Sequence, residues 1–180
     1  MKTLLAVLLL TFATGAFAQS SPTPTAVAPG CGTADTKFDV STSNSQHPMA
    51  KPDPGKALIY FLQDDTYFDA RPRPTTRFAI DGTWIGATHG NSYFYLSIDP
   101  GEHHLCANWQ SYLGPTGLGT GLDTAAARFR AEAGGIYFFS ARNHGTLHTG
   151  AAGVELLPTD GDEAQLLMSR FALASSRPKK

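Results

Sequence analysis

The chain has 180 residues, with 14 basic and 15 acidic side chains and a formal net charge of −1. A balance so near neutral gives no electrostatic footing for nucleic acid, whose recognition needs a concentrated basic surface. The length suits one domain with a modest core.

The opening MKTLLAVLLLTFATGAFA divides into three zones. Lys2 supplies a positive start, Leu4 to Phe12 an apolar run, and Ala16-Phe17-Ala18 the small-x-small site that a signal peptidase needs. Residues 1–18 therefore read as a cleavable secretory signal peptide, and the expected location is periplasmic or secreted. The apolar run is shorter than the roughly 20 residues of a membrane-spanning helix. No second run of that length follows, so no transmembrane helix is expected in the mature chain. Cleavage after Ala18 removes Lys2 and leaves 13 basic against 15 acidic side chains. In an oxidising compartment Cys31 and Cys106 pair by default into a disulfide; a buried free thiol and an intermolecular bridge are the rival readings.

Residues 19–55 are rich in Pro, Ser and Thr and read as a flexible segment that cannot offset its own ordering entropy. Within it, Phe38 and Val40 offer a short strand, and 41–55 reads as linker. The β domain is expected over 56–159. ALIYFLQ (57–63) reads as a buried strand and DDTYFDARPRP as a loop. TRFAI and TWIGA flank Asp81-Gly82, a two-residue turn that favours positive φ and marks a hairpin. SYFYLSI (92–98) alternates, with Tyr93 and Tyr95 on one face and Phe94, Leu96 and Ile98 on the other. Asp99-Pro100-Gly101 turns the chain into EHHLCANW.

The stretch 110–122 is glycine-rich and reads as a mobile loop. Over 123–133 the alanines and a capping Asp123 suit a helix, whereas the alternation of small and charged residues suits a strand; a meander favours the strand. IYFFSAR and VELLP are strands. Asp160 or Asp162 then caps a short helix on which Ala164, Leu167, Met168 and Phe171 follow helical spacing. Residues 160–180 are expected as that helix and a solvated basic tail. The fold class is mainly β, an antiparallel β-sandwich with a short C-terminal helix.

The stretch from Phe78 to Leu105 resembles a bacterial exported family catalogued as domain of unknown function 2846. The resemblance is carried by Asp81-Gly82, Ile85-Gly86, Tyr93 and Pro100-Gly101-Glu102-His103, with Ala133-Gly134-Gly135-Ile136-Tyr137-Phe138 as a later element. It covers roughly 56–157. It implies a sandwich of the prealbumin or immunoglobulin-like kind and no reaction. Each of these glycines sits where a turn favours positive φ.

The strongest chemical lead is Glu102-His103-His104-Leu105-Cys106. On a strand His104 and Cys106 share one face, with His103, Leu105, Ala107 and Trp109 on the other. A zinc or copper site needs His104 joined by loop histidines, His89 and His144 foremost and His148 besides, and its thiolate half conflicts with a disulfide at Cys106. Asp64, Asp65 and Asp69 read as a solvated acidic loop lacking the glycine and terminal glutamate of an EF-hand. Gly114–Gly121 lacks the lysine and flanking elements of a phosphate loop. Gly-x-Ser-x-Gly, Ser-x-x-Lys and His-Glu-x-x-His are all absent. Among the aromatic residues, Tyr93, Tyr95 and Tyr112 are expected outside the core, where they can stack on sugar rings or anchor a protein. The expectation is an exported, non-catalytic β-sandwich without cofactor that binds a protein or glycan of the cell envelope. The alternative is a metal-binding envelope protein built on His104.

Overall fold

A computed structural model describes residues 30–33, 35–45, 49–69, 71–111, 124–145 and 152–180. The signal-peptide reading, Tyr112, His148 and the 112–122 part of the glycine-rich stretch lie outside the described residues. The elements are β1 (Phe38–Ser43), β2 (Ala57–Phe68), β3 (Thr75–Ile80), β4 (Thr83–His89), β5 (Ser92–Ile98), β6 (Gly101–Ser111), β7 (Thr124–Ala131), β8 (Ile136–Gly145), β9 (Ala152–Pro158), α1 (Gly161–Met168) and β10 (Ala172–Pro178).

They form two sheets, one of six strands in the order β1-β10-β5-β2-β8-β9 and one of four in the order β4-β3-β6-β7. The expected β-sandwich is present, mostly antiparallel, with β2–β8 and β10–β5 as parallel pairs. Strand periodicity sets the layers. In β2, Ala57, Ile59 and Phe61 face the four-stranded sheet, where with Phe139 of β8 they meet Phe78, Leu105 and Ala107 in the main core. Phe61 lies 4.9 Å from Phe78 and 5.4 Å from Phe94, ring centre to ring centre. The alternate residues Leu58, Tyr60 and Leu62 face outward, yet they too are buried, because Ala164, Leu167, Met168 and Phe171 cover them. The helix thus adds a third layer on the six-stranded sheet. Asp160 is its N-cap, accepting from Asp162 N–H. Among the described residues no helix is long and apolar enough to cross a membrane.

Several elements differ from the sequence reading. β2 runs on through Asp64 and Asp65 to Phe68, so these aspartates belong to a strand and not to a solvated loop. The 123–133 ambiguity resolves as strand, Thr124–Ala131, with alternate residues exposed. The basic tail contains β10, which pairs antiparallel with β1 and parallel with β5.

Cys31 and Cys106 form a disulfide. It pins residues 30–33 and 35–37 as a strap across the outer face of the four-stranded sheet. Along the strap Thr33 O accepts from Trp84 Nε1 at 2.8 Å. Farther on, Thr36 O accepts from Arg77, whose guanidinium lies 4.2 Å from the Trp84 ring centre. Gln110 then holds Phe38 through both its N–H and its carbonyl. Gly32 is required here: φ is +96°, and a Cβ would come within 2.7 Å of Trp84 Nε1.

Candidate functional site

The register places the β3–β4, β5–β6 and β7–β8 turns at one end of the sandwich. The Asp81-Gly82 turn has φ of 49° and 80°, the left-handed pair that a two-residue hairpin needs. Asp81 Oδ1 accepts from His104 N–H at 2.8 Å, and Asp81 Oδ2 lies 2.7 Å from His103 Nδ1. The other ring nitrogen of His103 is 2.8 Å from Asp99 O in the β5–β6 turn. Both nitrogens face acceptors, so the ring satisfies both only as imidazolium. Burial alone pushes the His103 ring down, but the bonds and charges of Asp81 and Asp99 outweigh it and hold the ring above its ordinary value. Burial likewise pushes Asp81 up, and the His104 N–H and the His103 cation more than reverse this, leaving it below the usual carboxylate range.

His103 lies against Phe129, with ring centres 5.8 Å apart. Phe129 in turn meets Tyr137 at 5.1 Å and Phe139 at 5.0 Å, both edge-on. Tyr137 folds back over the β7–β8 turn, where its hydroxyl accepts from Glu132 N–H at 2.9 Å. Only a glycine at 135 allows this, because a Cβ there would stand 2.7 Å from the Tyr137 oxygen. Beside this stack opens a cleft of about 360 Å³ lined by Phe129, Arg130, Ile136 to Phe139 and Pro158 to Gly161. Of its polar side chains, Thr159 donates to Ser140 at 2.7 Å and Asp160 caps α1, while Arg130 adds a cation to the lining.

At the opposite end the inner stripe of β2 turns polar. Gln63 and Asp65 continue the Ala57-Ile59-Phe61 face, and both are buried, Asp65 to 1% exposure. Trp109 Nε1 donates to Asn143 Oδ1 at 2.8 Å, and Asn143 Nδ2 donates to Asp65 at 2.7 Å. Gln63 Nε2 reaches both Asp65 oxygens at 3.0 Å, while its carbonyl accepts from Thr88. The indole can only donate and an ionised carboxylate can only accept, so they fix the direction of the chain of bonds between them. Burial nonetheless raises the Asp65 carboxyl above its ordinary value, opposed by the Gln63 and Asn143 bonds and by the charges of Arg73 and His89. The network joins strands of both sheets and acts as a polar plug.

The predicted metal ligands are not brought together. His89 ends β4 opposite Thr75, at the polar-plug end, where its ring bonds the Thr75 hydroxyl. His104 sits at the other end of the same sheet, opposite Arg128, a cation unsuited to a metal's neighbour. The length of β3 between them is on the order of 17 Å. His144 is exposed on the six-stranded sheet opposite Tyr67. Cys106 is tied to Cys31 and offers no thiolate. Among the described residues no group of three or more His, Cys, Asp or Glu is placed to hold a metal ion. Of the expected binding tyrosines, Tyr95 is 38% exposed with its ring tilted against Tyr60 at 5.0 Å, but Tyr93 is only 4% exposed. Tyr93 is a correction: α1 and Leu173 pack over it, whereas Tyr95 on the same face stays outside that cluster.

These features define a two-sheet β-sandwich with a covering helix and an aromatic cleft at its hairpin end. The chain belongs to the family described as Protein of unknown function (DUF2846), whose model matches residues 53–152. The matched span holds Asp81, His103 and Tyr137, and leaves Cys31, β1, α1 and β10 outside it. No curated protein and no solved structure matches the chain.

Proposed function

We propose that this chain is an exported, non-catalytic β-sandwich that binds a protein of the cell envelope through the Phe129–Tyr137 cleft. The observation that carries this reading is the character of the cleft: mostly aromatic and aliphatic walls beside Arg130, with Thr159, Asp160 and Tyr137 already bonded within the fold. A sugar needs polar partners for its hydroxyls, whereas an apolar side chain needs only the walls. The signal-peptide pattern of residues 1–18 and a disulfide, which persists in oxidising compartments, support export. The perturbed groups Asp65, Asp81 and His103 are each bonded within the scaffold, which supports a binding rather than a catalytic role.

The test is a substitution at the cleft mouth. Ile136 is 38% exposed there, so Ile136→Glu charges the cleft without entering the core. Pull-down from an envelope extract is expected to retain a defined protein on the wild type and lose it on Ile136→Glu, with a glycan array silent for both. Glycan binding that survives Ile136→Glu and fails on Tyr95→Ala would overturn the reading.

A further inference from the structure

We propose that His103, Asp81 and Asp99 form a proton-operated clasp that locks two hairpin turns together and thereby sets the position of the Phe129 wall of the cleft. The inference rests on the cleft reading above for its consequence in binding, but not for the clasp itself.

The geometry is over-determined by hydrogen-bond polarity. A carboxylate oxygen lies 2.7 Å from Nδ1 and a main-chain carbonyl oxygen 2.8 Å from Nε2. A neutral imidazole carries one N–H, so removing the proton leaves a nitrogen lone pair facing an oxygen lone pair at one of these two contacts. The ring must then move or a turn must swing away. Such motion is transmitted locally, because the His103 ring packs on Phe129, and Phe129 packs on Tyr137 and lines the cleft.

The surrounding charges are consistent with this role. From the β3–β4 turn, Asp81 faces the ring directly. In the β5–β6 turn, the Asp99 carbonyl makes the contact with His103, and its carboxylate, paired with Lys56, still adds its charge in favour of the proton. On β6 itself, Glu102 is paired to Arg128 of β7, and His104 gives Asp81 its main-chain N–H. Arg130 pairs in register with Glu102, and Glu132 follows at the β7–β8 turn. No other carboxylate among these is within ion-pair distance of the His103 ring in the described residues. Asp81 is thus the carboxylate in direct contact with the ring.

The experiment is a pH titration of the purified protein by NMR, following the His103 ring and the amides of Asp81, Phe129 and Tyr137. The expected result is one midpoint above that of an ordinary histidine, shared by all four signals. Asp81→Asn keeps a residue that tolerates the left-handed turn and is expected to move the midpoint downward. His103→Gln, which retains a single N–H donor group, is expected to abolish the pH dependence of the Phe129 and Tyr137 signals while the fold persists. A His103 midpoint at or below the ordinary value, or a titration that leaves Phe129 and Tyr137 unmoved, would overturn the clasp. Failure of the Ile136→Glu test with an intact shared midpoint would remove the binding reading and leave the clasp standing.

Discussion

Replacing both bridging cysteines, Cys31→Ser with Cys106→Ser, cuts the strap from the sheet without touching the main core. The bridge closes a loop of 75 residues in sequence. The chain-entropy relation for a loop of that length gives about 4.5 kcal/mol, nearly all of it exerted on the unfolded ensemble. With a urea slope of about 2 kcal/mol/M, the midpoint should fall by about 2 M. In a thermal scan the same loss appears as a drop of roughly 9–18 °C for a domain of this size. The native strap should persist in the variant, because the Trp84–Thr33 and Gln110–Phe38 bonds hold it independently of the sulfurs. The measurement is paired urea unfolding with an unchanged slope, together with the Trp84 indole N–H signal in the folded variant. A midpoint shift worth less than about 1 kcal/mol would refute the argument, since the bridge would then impose little on the unfolded chain.

Other outcomes follow from single contacts. Trp109→Phe leaves the buried Asn143 carbonyl without its indole donor and should cost about 1–3 kcal/mol by denaturant titration. Gly32→Ala forces an L residue to φ of +96° against Trp84, and should lift the strap from that ring at a cost of about 1–2 kcal/mol, seen as a shifted Trp84 indole signal. Asp65 is held above 3.8 by burial, so its ionisation opposes folding. Its favourable contribution is complete below that value and is lost as pH rises through the folded one; Asp65→Asn should flatten this part of the stability profile, compared between about pH 3 and pH 7. For His103, raised above 6.5, the sign is the same: its contribution is complete below 6.5 and disappears as pH climbs through the raised value. Asp81, lowered below 3.8, contributes above 3.8 and loses that contribution as pH falls through the lower value. Unfolding midpoints should therefore show a clasp plateau between 3.8 and 6.5 that Asp81→Asn removes.

Much of the fold was legible from local chemistry. Asp81-Gly82 announces its hairpin, the period of SYFYLSI places Phe94 and Leu96 inward, and the helical spacing of Ala164, Leu167 and Met168 names the face that α1 buries, while Phe171 joins that cluster from beyond the helix end. The polar plug was hidden because Asp64-Asp65 look like loop residues by composition. The signal that finds it is the continuation of a period-2 stripe, from Ala57, Ile59 and Phe61 to Gln63 and Asp65, and from Phe139 and Ala141 to Asn143. β10 was missed for a different reason: ALASSRP has weak strand propensity, and what holds it is pairing with β1 and β5, which no local pattern encodes. The cleft depends on a contact between Phe129 and Tyr137 across a four-residue turn. The family-like motifs pointed to its surroundings without disclosing that Asp81 and His103 touch.

The position of β10 has a consequence for the order in which the molecule can assemble. β1 enters the six-stranded sheet only through β10, and β10 is seated beside β5 only at Ala172 and Leu173. During synthesis β1 therefore has no strand to pair with until β10 has been made, while the bonds of Phe38 to Gln110 give it an earlier hold. The disulfide ties the strap before β1 to the four-stranded sheet, so β1 is kept near the place where β10 joins it.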